Sequence, residues 1–145
     1  KSNSNANVEW YRRRIESLPD KKGTKYEKEV AYYKEVCVAN AGWVILARLS
    51  IESTYYGIML DLHCGNTFAA ERKKKKIKEE EERVSKWVSN MLELANVYFL
   101  SGDRQSAIKV CDILINCPYT KYDPTLVNRM PEVLKSRRKF LESKD

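Results

Sequence analysis

Val88–Lys121, VSNMLELANVYFLSGDRQSAIKVCDILINCPYTK, is the stretch that decides the fold. Apolar residues recur at spacings of three and four on either side of Ser101-Gly102-Asp103, which predicts two amphipathic helices joined by a tight turn. Leu94, Ala95 and Tyr98 belong to the stripe of the first. Ala107, Ile108, Cys111, Ile113, Leu114 and Ile115 belong to the second, read over Gln105 to Asn116. Pro118 and Pro124 mark CPYTKYDPT as a loop, because proline lacks the amide that a helix interior requires.

Upstream, Thr67 to Leu100 contains neither Gly nor Pro, which predicts one helix of 34 residues, about 50 Å long. Ala70, Ile77, Val84, Met91 and Tyr98 recur every seven residues. The companion positions three further on are Lys73 and Glu80 in the first half, then Trp87 and Leu94 in the second. The first half therefore has a thin apolar stripe and the second a full one. The block Glu71–Arg83, ERKKKKIKEEEER, sets Lys75, Lys76 and Lys78 one turn before Glu79, Glu80 and Glu82, as expected of a solvated helix. Pairing of the Ala70-Ile77-Val84 stripe with the same helix of another copy is a further expectation.

Toward the N-terminus, Val8, Tyr11, Ile15 and Leu18 outline a short helix, with Trp10 beside them. Thr24 and Glu27 have the spacing of a capping box. A helix follows from Lys25, with Tyr26, Val30, Tyr33 and Cys37 on one face. From Val36 to Leu49 it is apolar all round (Trp43, Val44, Ile45, Leu46), the pattern of a central, buried helix. Ser50, with Ser53 and Thr54, favours a break before another helix, Ile51 to His63, over continuation of the previous one, and Ile51, Tyr55, Ile58, Met59 and Leu62 are in register. Cys64-Gly65 ends it and Asn66 starts the next. The last helix, Thr125 to Glu142, presents Leu126, Met130, Val133, Leu134 and Leu141.

Composition agrees with this reading. Apolar residues make up 43% and charged residues 32%, and Gly (5) and Pro (4) are scarce, so a turn-rich β-fold is disfavoured. The expectation is an all-α chain: an irregular bundle of about six helices forming one domain over residues 8–145, behind a flexible leader of residues 1–7. No run approaches the ~18 apolar residues of a membrane span. The polar start KSNSNAN reads as the remainder of a removed signal, a lipid-tethered leader or a cloning remnant. The first two favour a place outside the cytoplasm over a cytoplasmic one.

Chemistry-bearing groupings are few. No C-x-x-C pair, metal spacing of histidines, phosphate-binding glycine loop or nucleophile elbow occurs. His63, the one histidine, reads as a helix C-terminal residue. Cys37 and Cys111 fall within apolar patterns, which favours free buried thiols over a disulfide framework. No enzyme, cofactor or metal is expected. The net charge of +7 raises nucleic-acid binding as an alternative, through Arg12, Arg13 and Arg14, through Lys73, Lys74, Lys75 and Lys76, and through Arg137, Arg138 and Lys139. Against the central block stand the four acidic residues that follow it and the lack of interleaved aromatics for stacking.

The hairpin itself resembles a single tetratricopeptide repeat, a helix–turn–helix unit of 34 residues. Leu94, Ala95 and Tyr98 match the first-helix positions, Gly102 the turn glycine, and Ala107 the small residue at the helix crossing. Met91, Cys111 and Pro118 depart from the pattern. No second unit is evident, so one hairpin in an irregular bundle is expected rather than a solenoid. The resemblance implies a scaffold that holds a peptide or a partner helix against Asn90, Glu93, Asn96 and Val97. The expected function is thus a non-catalytic adaptor, chaperone or scaffold binding another protein, for example in a bacterial envelope, secretion or phage system.

Overall fold

The computed structural model describes the backbone of residues 3–116 and 124–143, and the side chains of 8–42, 51–116 and 124–143. Among them are five helices: α1 (Asn3–Glu16), α2 (Glu27–His63), α3 (Thr67–Leu100), α4 (Arg104–Asn116) and α5 (Pro124–Glu142). The described residues contain no strand, and the architecture is an all-α helical bundle. The loop expected around Pro118 lies outside the described residues.

Two boundaries differ from the sequence reading by more than two residues. Helix α1 begins at Asn3, ahead of Val8, because the polar leader carries no apolar periodicity to announce it. Helix α2 runs unbroken through Ser50 for 37 residues, about 55 Å. A serine can cap a helix only where the helix has another reason to stop. Here no Gly-Pro punctuation accompanies it, and the antiparallel α3 lies alongside. Tertiary packing overrides the weak local preference.

Two glycine turns fold the chain back on itself, and both have the same hydrogen-bond pattern. At the end of α2, Gly65 N–H donates to Leu62 C=O and Asn66 N–H to Asp61 C=O. At the end of α3, Gly102 N–H donates to Phe99 C=O and Asp103 N–H to Tyr98 C=O. Each is a Schellman cap, in which the residue past the helix must adopt a left-handed backbone. Gly65 and Gly102 do so, at φ +77 and φ +85. Asp103 then opens α4: its carboxylate accepts from Ser106 N–H (3.1 Å) and Ser106 Oγ (2.8 Å), and pairs with Lys21 (3.3 Å).

The Thr24–Glu27 pair is present in an opened form. Thr24 Oγ1 accepts from Tyr26 N–H, and the Glu27 carboxylate reaches back to Gly23 N–H rather than to Thr24, so α2 starts only at Glu27.

The main core is built where all five helices meet. Tyr11 and Ile15 of α1, Leu18 just beyond it, and Val30, Cys37 and Ala41 of α2 close one side. Val84, Trp87, Met91, Leu94 and Tyr98 of α3 form its spine, and Val110, Leu114, Leu126, Val133 and Phe140 close the other side. Ala95 and Ala107 are fully buried between α3 and α4, where their small size permits close helix approach. Trp87 stands edge-on to Tyr11, and its indole N–H donates to Cys37 C=O at 3.0 Å. Arg129 ties the start of α5 to α3, donating to Ser85 C=O at 2.7 Å. Leu134 and Leu141, expected on the buried stripe of α5, are exposed, and Phe140 takes the core position. Lys34 is buried against the end of α1, where its ammonium donates to Leu18 C=O (2.6 Å), Asp20 Oδ1 (2.8 Å) and Glu16 C=O (3.2 Å).

Candidate interaction surfaces

Beyond the bundle, the C-terminal part of α2 and the N-terminal part of α3 continue as a two-helix arm. Its core is a separate small cluster of Ile58, Ala70 and Ile77, with Ile51 packed against it. The seven-residue stripe Ala70-Ile77-Val84 is thus buried within the chain and is not available to pair with another copy. Thin as it is, it is the inside of the hairpin. Lys73 also turns inward: its stem lies over Gly57, and its amine pairs with Asp61 at 2.6 Å.

The outer side of the arm is unlike an ordinary solvated surface. Of the apolar positions read in register over Ile51–His63, only Ile58 is buried. Tyr55, Tyr56 (68% exposed), Met59, Leu60 and Leu62 face outward, and Phe68 at the start of α3 is 74% exposed. In the bundle α1 packs against α2, whereas among the described residues the core of the arm is formed by α2 and α3 alone. The all-round apolar run over residues 43–49 has its side chains outside the described residues. A compact group of exposed large apolar residues is the usual mark of an interaction surface.

A second feature is a groove of about 360 Å³ between α2 and α3, lined by Tyr32, Val36, Asn40, Arg83, Lys86, Trp87 and Asn90. Asn90, one of the four partner-facing candidates, therefore sits on a concave surface. Glu93 is exposed near Tyr33, whose hydroxyl pKa is raised by burial first and by the Glu93 charge second. Asn96 is half-buried, and Val97 is 4% exposed and belongs to the core. Of the four, Val97 is the one that the core encloses.

The basic groups sit on three separate elements: Arg12, Arg13 and Arg14 on α1, Lys73 to Lys76 on the arm, and Arg137, Arg138 and Lys139 on α5. Several are engaged locally. Arg14 stacks on Trp10 (3.8 Å), Arg12 pairs with Glu9 (3.3 Å), Lys74 with Glu71 (3.1 Å) and Arg137 with Asp112 (2.7 Å). Lys139 lies over the Phe99 ring.

Among the described residues no group of three or more His, Cys, Asp or Glu side chains could hold a metal ion. His63 is exposed in the last turn of α2. Cys37, Cys64 and Cys111 are free thiols, and Cys117 lies outside the described residues. Burial pushes the Cys37 and Cys111 thiols up to about 12, far from the thiolate that reacts. Cys64 is exposed at the turn of the arm. In the native chain a maleimide is therefore expected to label Cys64 rapidly and to spare Cys37 and Cys111 until denaturant is added, as peptide mapping of the labelled protein would read. Rapid native labelling of Cys37 would contradict the packing around Trp87.

No described helix is long and apolar enough to cross a membrane. Comparison with protein-family models, curated proteins and solved structures returned no match.

Proposed function

We propose that this chain is a non-catalytic protein-interaction module, an adaptor, chaperone or scaffold, whose arm docks a protein partner. The observation that carries it is the outward set Tyr55, Tyr56, Met59, Leu60 and Phe68 on a hairpin with its own small core. Tyrosine and other large side chains of this kind anchor interfaces because they exclude much water for little lost rotamer freedom. The dispersal of the basic groups favours a protein over nucleic acid, which would need them gathered along one face. The tetratricopeptide-like hairpin is part of the same reading. Asn90 and the groove beside Trp87 offer it a second, smaller contact site.

The test replaces exposed residues only. Crosslinking from the native source with the wild-type chain and with the double variant Tyr56→Glu, Leu60→Glu should show a protein contact, with itself or another chain, that the variant loses. Helix content by circular dichroism should not change. If the wild-type chain crosslinks to no protein and does not self-associate, the proposal fails.

A further inference from the structure

We infer that the outer side of the arm docks a second copy of this chain, antiparallel, about a two-fold axis near Ile77 and Lys78. This rests on the interaction-module reading above and names its partner.

The first observation is the order of charges. Residues 73–82 read Lys-Lys-Lys-Lys-Ile-Lys-Glu-Glu-Glu-Glu. Set against its own reversed copy, this segment brings Lys73–Lys76 opposite Glu79–Glu82 on both sides of the axis. A two-fold interface must be self-complementary in this way, since each contact occurs twice.

The second observation is that six of the nine charges in this segment take part in none of its internal ion pairs. The spacing offers Lys75–Glu79, Lys76–Glu80 and Lys78–Glu82 as pairs within the helix, and none of the three forms. The ion pairs made by this segment among the described residues are Lys73–Asp61, Lys74–Glu71 and Arg83–Glu80. Lys75, Lys76 and Lys78 on one side of the axis, and Glu79, Glu81 and Glu82 on the other, keep their full pairing capacity for an outside partner.

The third observation selects the partner's chemistry. The charges of residues 51–83 balance to zero, with basic side chains toward the tip and acidic ones toward the base. A uniformly anionic partner, whether phosphate backbone or lipid surface, would meet the acidic quartet within about 10 Å of the basic one, and repulsion would offset attraction. The complementary surface has both signs in reverse order. The arm itself is one. The exposed Tyr55, Tyr56, Met59 and Leu60 lie on the same arm and offer apolar area for such an interface to remove from water.

Sedimentation velocity at micromolar to tens of micromolar concentration should show the wild-type chain as a dimer. Two charge variants then test the orientation. Replacing Lys73, Lys74, Lys75 and Lys76 by Glu makes the segment acidic throughout, and replacing Glu79, Glu80, Glu81 and Glu82 by Lys makes it basic throughout. Each alone should associate about a hundredfold more weakly or worse, because like charges then face each other. An equimolar mixture should restore the dimer. A wild-type monomer over the whole range overturns the inference, and so do charge variants that dimerise alone as well as the wild type. If a charge variant loses helix content, the exposed double variant Tyr56→Glu, Leu60→Glu decides, with loss of the dimer supporting the inference and persistence overturning it. A wild-type monomer that still loses a crosslinked protein on Tyr56→Glu, Leu60→Glu removes the second copy and leaves the interaction-module reading standing. A monomer that floats with phosphatidylserine vesicles removes the second copy in favour of a membrane surface.

Discussion

Replacing Trp87 with alanine should cost about 3–5 kcal/mol, enough to unfold much of the population of a domain of ordinary stability. The indole is 1% exposed and fills the point where α1, α2 and α3 converge. Its removal leaves a void that Tyr11, packed edge-on against it, cannot fill without moving α1 off the bundle. The loss also removes the one donor that the indole directs at Cys37 C=O. Trp87→Phe separates the two contributions, since it keeps most of the volume and loses the hydrogen bond. It should cost about 1–2 kcal/mol. Urea titrations followed by circular dichroism measure both. An alanine variant within 1 kcal/mol of wild type would mean that the bundle is held elsewhere.

Lys34 carries the second large effect. Its ammonium satisfies two carbonyls at the end of α1 together with the Asp20 carboxylate, and its side chain is only 11% exposed. Truncation to alanine should cost about 2–3 kcal/mol, because hydrogen bonds to a charged group are lost and buried carbonyls lose a partner. Lys34→Met keeps the packed stem, so the difference between the two variants isolates the ammonium.

The pH response follows from Asp20. The Lys34 hydrogen bond, and then its charge, hold the Asp20 pKa below its ordinary 3.8. A carboxyl whose pKa is lower folded than unfolded stabilises the fold above the unfolded value. That contribution is lost as pH falls through 3.8 toward the lowered one. Asp20 is exposed, so the effect on stability is small, but its titration is a direct probe. In Lys34→Ala the Asp20 midpoint, read by NMR, should rise toward 3.8.

The helices were legible wherever one stripe faced one neighbour. Val88–Asn116 gave α4 and the end of α3 nearly to the residue, because Gly102 sits where only a left-handed backbone closes the turn. The same chemistry made Gly65 readable as the end of α2. Ser50 misled because its capping preference is a local signal, whereas the continuity of α2 comes from α3 running beside it. The candidate surface was harder to see. Tyr55, Met59 and Leu62 have the spacing of a core stripe, and periodicity cannot tell a covered face from an uncovered one. That depends on which stretch of α2 has α1 packed against it, which is set only once the helices lie side by side. Val97 is the converse case, since the repeat pattern assigns it outward while the core encloses it.

The continuity of α2 and α3 has a mechanical meaning. Neither helix has a joint between arm and bundle, so the arm is not hinged to the core by a loop. A sideways pull at the Gly65 turn acts on a stiff double rod, and the load falls where the rod enters the bundle, at Trp87 and Cys37. Whatever grips the tip therefore has leverage on the residues that hold the fold together.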